Sequence, residues 1–173
     1  MSAWLTVYCA HSVDRVTADD LKTALNAADM HTIAEGFGVD DEAAVDEALA
    51  HLKVESATEP EGVRFRLHYA GAGKRPILVY LADGASAVEM LEELSRVKGS
   101  SVQQVREALR QTVAVVSLSL GWMQLEDMGV VLAGQVAEAF ASAGDGLIRD
   151  QNGDWWAVDD GVPTLVFQPN ANA

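Results

Sequence analysis

The sequence predicts an α+β fold: a single domain with a largely antiparallel sheet, about five helices packed on it and a C-terminal β-hairpin. Three observations lead there. Strand and helix patterns come in uneven blocks, not in the strict alternation of a doubly wound domain. In residues 63–69 the apolar Val63, Phe65, Leu67 and Tyr69 alternate with Arg64, Arg66 and His68, the period of a strand with one buried face. Asn152-Gly153 separates Gly146-Leu147-Ile148-Arg149 from Trp155-Trp156-Ala157-Val158, a strong short-range hairpin signal.

The elements follow in order. Residues 3–10 (AWLTVYCA) are rich in aromatic and branched types and read as the first strand. Thr17 caps a helix with Asp19 and Asp20 in its first turn and Leu21, Ala24, Leu25 and Ala28 as its apolar stripe, ending near Asp29. A helical turn over Met30–Glu35 runs into Gly36 and Gly38. Asp40-Asp41-Glu42 then caps a helix with Val45, Ala48, Leu49 and Leu52 on one face. A short strand at 52–56 leads through a turn at Glu59-Pro60-Glu61-Gly62 to the alternating strand. The next turn, Ala70-Gly71-Ala72-Gly73, leads to Pro76–Leu81, read as buried on both faces or nearly so.

Two capping boxes are expected next, Ser86 with Glu89 and Ser101 with Gln104. The first opens a helix using Val88, Leu91, Leu94 and Val97, and the second one using Val102, Val105 and Leu109. Thr112–Leu120 turns β-branched and reads as a buried strand, with helix continuation the competing reading. A long helix from Leu125 to Ala143 directs Leu125, Met128, Leu132, Val136 and Phe140 to a core, while Ala133, Ala137 and Ala141 permit close packing. Gly144 stops it. The tail hairpin and a third strand at Thr164–Gln168 complete a domain over 1–168, with residues 169–173 frayed.

Composition bounds the function. The chain has 173 residues, 49% of them hydrophobic, and 26 acidic residues against 12 Lys and Arg, for a net charge of -14. A chain this apolar offsets the entropy of ordering it, so the surplus charge describes an acidic surface on a folded domain. Such a surface repels nucleic acid and anionic lipid and better matches a basic protein or a metal. Cys9 is the only cysteine, which excludes an internal disulfide and suits a reducing cytoplasm. Neither a secretory leader nor an apolar run of roughly 20 residues is present, so a soluble protein is expected.

Adjacent strand residues face opposite ways, so Trp155 and Trp156 cannot enter one core together. With Asn152-Gly153 as a two-residue turn, Arg149 is expected opposite Trp156, Leu147 opposite Val158 and Asp150 opposite Trp155. One indole then serves as an anchor for another protein, rimmed by Asp150, Asp154, Asp159 and Asp160; in the bland reading a helix covers that face too. The basic strand face, Arg64, Arg66 and His68 with Lys74 and Arg75 close by, is a candidate anion site through forked guanidinium donors. Its competitor is a solvated face whose cations pair with nearby carboxylates, and no Walker or dinucleotide glycine pattern is present.

Cys9 with His11, and His31 with Glu35, have unspecific spacing, and Cys9 is expected as a small buried hydrophobe. A calcium reading of Asp150–Asp154 fails because Trp155 stands where the loop needs Gly and Gly161 where it needs Glu. No catalytic residue, metal or cofactor is expected. The sequence therefore reads as a non-catalytic cytoplasmic domain that binds a basic protein partner, concretely an inhibitor or immunity protein that neutralises a basic toxin or enzyme. The alternative is a small anionic-ligand-binding protein or enzyme using the Arg64, Arg66 and His68 face. A third reading is a homo-oligomer joined through the tail hairpin.

Overall fold

The computed structural model describes residues 2–58, 62–71 and 74–169. The expected turn residues 59–61 and 72–73 and the tail from 170 onward lie outside the described residues. In chain order the elements are β1 (Ser2–Cys9), α1 (Ala18–Ala27), α2 (Met30–Gly36), α3 (Glu42–Ala50), β2 (Lys53–Ser56), β3 (Val63–His68), β4 (Ile77–Asp83), α4 (Ala85–Leu94) and α5 (Ser100–Gln111). They continue with β5 (Ala114–Gly121), a 3₁₀ turn (Trp122–Leu125), α6 (Met128–Gly144), β6 (Gly146–Arg149), β7 (Trp155–Asp159) and β8 (Val162–Phe167). The strands form one sheet in the order β2-β3-β4-β5-β1-β6-β7-β8, with antiparallel pairing in β2·β3, β3·β4, β1·β6, β6·β7 and β7·β8. This is the α+β class, with six α-helices among the described residues.

Acidic residues start several helices. Thr17 Oγ1 accepts the Asp20 N–H at 3.1 Å, and the Asp20 carboxylate accepts the Thr17 N–H at 2.8 Å, the reciprocal capping box. The Thr17 bonds hold the Asp20 carboxyl below its ordinary range. Asp41 accepts from Ala43 and Ala44 at the start of α3, and Asp29 accepts from Thr32 in α2.

Elsewhere the local signals mislead. Asp83 Oδ1 accepts the Ala85 N–H at 2.9 Å, so α4 begins before Ser86 and the expected Ser86–Glu89 box does not form. Val88 consequently faces solvent, and Ala87 takes the core position. Gly84 is required where α4 begins, because a Cβ there would lie 2.4 Å from the Thr112 carbonyl oxygen. α5 starts after Gly99 at φ 138° without a side-chain cap, leaving Ser101 inside its first turn. Leu52 follows α3 instead of belonging to it, and the expected helix start at Leu125 is a 3₁₀ turn. β4 is buried on one face only: Ile77 and Val79 are enclosed, whereas Leu78 and Tyr80 are half-buried.

The chain forms two compact units. The first comprises Met1–Trp4, Val16–Tyr80 and Leu118–Val136. Its sheet buries Phe65 opposite Val79 and Leu67 opposite Ile77, and its helices contribute Leu21, Leu25, Met30, Ala34, Val45 and Ala48. The second comprises Leu5–Arg15, Leu81–Ser117 and Ala137–Ala173. There Tyr8, Val115, Leu147 and Trp155 pack with Ala87 and Leu94 of α4 and Val102, Val105 and Leu109 of α5. The Arg106 guanidinium donates to the carbonyls of Leu94 and Val97, satisfying groups that the end of α4 leaves open.

Trp155 is fully buried, with its ring 5.3 Å from that of Tyr8. Its indole Nε1 has no hydrogen-bond partner among the described residues, so desolvation of that N–H offsets part of what the ring contributes. Trp155→Ala is expected to cost about 3–5 kcal/mol. Trp155→Phe, which deletes the unbonded N–H with part of the ring, is expected to cost distinctly less; urea titration of both variants checks the order.

Cys9 is also enclosed; its Sγ lies 3.8 Å from the Phe140 carbonyl, and burial pushes its thiol up to about 12. A Cβ on Gly144 would meet Cys9 Cβ and Sγ at 2.7 Å and Val13 at 2.9 Å. Gly144→Ala should therefore destabilise by about 1–3 kcal/mol through overpacking, against a helix-propensity gain of about 1 kcal/mol. In the native protein at pH 8, Cys9 should resist a thiol-specific reagent that modifies it promptly once urea unfolds the chain.

Candidate functional site

The tail hairpin has a different register from the one that Asn152-Gly153 suggests. Arg149 faces Trp155, Ile148 faces Trp156 and Leu147 faces Ala157. The cause is Asp150. Its N–H donates to the Asp154 carbonyl at 2.9 Å, and its carbonyl accepts the Gly153 N–H at 3.0 Å. Gly153 adopts φ 86°, closing a three-residue loop in place of a two-residue turn. Asp150 Oδ1 also accepts the N–H groups of Asn152 and Asp154 at 2.8 and 3.0 Å.

Register assigns the two indoles. Trp155 shares a face with Leu147 and enters the core under α5, so it is corrected from partner anchor to core residue. Trp156 lies on the opposite face, half-buried, and its Nε1 donates to Asp150 Oδ2 at 3.0 Å. Beyond it, Trp156 pairs with Leu165 and Val158 with Pro163. The two strands are joined through Asp160 and Gly161 at φ 48° and 77°, a type I′ turn. Trp156, Val158, Pro163 and Leu165 thus form an apolar strip, on which Leu165 is 41% exposed. Asp159 and Asp160 are exposed at one end; Asp150 and Asp154 stand at the other, where Asp154 accepts from Gln168 at 3.0 Å.

β8 is the terminal strand of the sheet. The two-residue turn makes Asp159·Val162 a hydrogen-bonded pair and the next pair, Val158·Pro163, a non-bonded one. Pro163 therefore sacrifices no ladder bond and removes a donor from the outer edge.

The five basic candidates do not converge. Arg64, Arg66 and His68 lie on the outer face of β3, where His68 Nε2 is 3.3 Å from Glu55 Oε2 and Lys53 is also ion-paired to Glu55. The Lys53 bond and charge, then His68, hold the Glu55 carboxyl below its usual range. The Arg64 guanidinium lies 5.6 Å from the Phe65 ring centre. Arg66 faces Leu78 of β4, and at Tyr80 the rings of Trp4 and Tyr80 stand 5.6 Å apart. This is a mixed basic and aromatic sheet face.

Lys74 and Arg75 belong to a second arrangement in the first unit, where Asp127 is the hub. Asp127 Oδ1 accepts from Tyr69 Oη at 3.0 Å and from the Gly129 N–H at 2.7 Å, capping α6, and Oδ2 accepts from Lys74 Nζ at 3.0 Å. Gln124 Oε1 accepts the Gly121 N–H at 2.7 Å, and its Nε2 donates to the Arg75 carbonyl at 2.8 Å. Burial chiefly raises the Tyr69 phenol above its usual range, keeping it a neutral donor. Two clefts flank the Lys74–Asp127 pair, one of about 300 Å³ against α3 and one of about 420 Å³ beside Trp122 and Met123. Sequence reading missed Tyr69, Trp122, Gln124 and Asp127 as a group; an Asp at the strand-to-helix break is the one local signal available.

His31 pairs with Asp46 at 3.1 Å, and no group of three or more His, Cys, Asp or Glu is placed to hold a metal among the described residues. No helix among them is long and apolar enough to cross a membrane. Comparison with protein-family models, with curated proteins and with solved structures finds no match for this chain.

Asp150→Ala removes the acceptor of Asn152 N–H, Asp154 N–H and Trp156 Nε1–H, and is expected to cost about 1–3 kcal/mol. It should also speed hydrogen exchange at the Trp156 indole, measured by NMR. A variant with unchanged exchange there would show that the indole is held by packing alone.

Proposed function

We propose that this chain is a non-catalytic, acidic protein-binding domain that recognises a basic protein surface with the open face of the β7–β8 ribbon. The observation that carries the reading is Trp156, set in an apolar strip with Val158, Pro163 and Leu165, tethered to Asp150 and flanked by Asp159 and Asp160. Large aromatic anchors dominate binding energy at protein interfaces. A tethered indole loses less freedom on binding than a loose one. The net charge of -14 draws cationic partners from a distance and repels copies of the chain.

A cytoplasmic inhibitor or immunity protein that blocks a cationic toxin or enzyme is the concrete form of this reading. It is supported by the acidic surface and by the apolar strip with its carboxylate ends. Anion binding on Arg64, Arg66 and His68 has less support, because Glu55 already serves His68 on that face.

The test begins with capture at low salt, identification of the partner and measurement of affinity with purified components. Trp156→Ala is expected to weaken binding by roughly thirtyfold and Leu165→Ala by less. Asp159→Asn with Asp160→Asn should slow association and flatten its salt dependence, and Asn tolerates the positive φ at position 160. A partner indifferent to ionic strength and to Trp156→Ala would end the proposal.

A further inference from the structure

We infer that the cleft between Arg75 and Trp122 is a binding site for a small planar aromatic monocarboxylate. Trp122 and Met123 are 63% and 76% exposed, side by side on a 3₁₀ turn whose backbone Gln124 fixes through Gly121. Leaving two large apolar side chains in water forgoes the gain that burying either would bring. They stand beside an opening of about 420 Å³ that also touches Lys74, Arg75 and Asp127, within the size range of small-ligand sites.

Charge selects the ligand. Asp127 neutralises Lys74, so the cleft keeps one net positive charge, that of Arg75. The Arg75 main chain is held by Gln124, and among the described residues its guanidinium has no ion-pair partner. A forked guanidinium matches one carboxylate bidentately, while an aromatic ring stacks on Trp122 with the Met123 thioether at its edge. One cation on a chain of charge -14 does not balance the repulsion met by a di- or triphosphate, which separates this site from a nucleotide pocket.

The probe is indole-3-acetate, titrated into the full chain while the Trp122 indole N–H and the Arg75 side-chain N–H are followed by NMR. Both signals are expected to shift with one saturable isotherm. Arg75→Gln and Trp122→Ala should each weaken binding by roughly tenfold or more, Arg66→Gln should leave it unchanged, and adenosine monophosphate should bind more weakly. Both substituted residues are exposed, so loss of binding with an unchanged melting curve reports the site itself. No saturable shift at millimolar probe, shifts centred on the β3 face and abolished by Arg66→Gln, or tighter binding of the dianion would each overturn the inference. The partner-binding strip lies on β7 and β8, so neither result bears on that proposal.

Discussion

The carboxylate and main chain of Asp150 together set the register of the C-terminal strands β6 and β7. A β-strand has a side-chain period of two, so moving the pairing by one residue exchanges its faces completely. Asp150 closes the loop at Asp154 and gathers two further N–H groups with one oxygen. That choice places Trp155 with Tyr8 under α5 and leaves Trp156 on the open side. The core of the second unit and the proposed binding face are two results of one register.

Much of the acidity has a local explanation. Asp20, Asp29, Asp41, Asp83 and Asp127 each accept an N–H at or near a helix start, where the helix dipole also favours negative charge. Asp20 serves its cap from the third helical position, through Thr17. Asp127 goes further, joining Tyr69 and Lys74 to the first turn of α6. Asp159 and Asp160 have no such helix to serve; Asp160 instead supplies the positive φ of the type I′ turn.

The legible parts of the sequence were those set by short-range physics. Alternation in Val63–His68 gave β3, Thr17 and Asp20 gave the start of α1, and the spacing of Val102, Val105 and Leu109 gave the buried face of α5. Competition between neighbouring signals hid other parts. Asn152-Gly153 is a hairpin dipeptide, yet Asp150 offers a better acceptor set two residues earlier, and Asp83 wins over Ser86 in the same way. Asp160-Gly161 carries a type I′ signal of its own, masked in the sequence by the run of negative charge at Asp159 and Asp160. The Arg75–Trp122 cleft was beyond local reading, since tertiary folding alone brings residues 74 and 75 to residues 121–127.

Pro163 has a consequence for stoichiometry. An unguarded terminal strand can recruit another, which recruits a third, and assembly then runs on without a natural end. With one link of that ladder missing, addition of a further strand along β8 is disfavoured, and the proposed recognition would fall to side chains on the ribbon's broad face. A complex of that kind would close at a fixed composition instead of growing strand by strand.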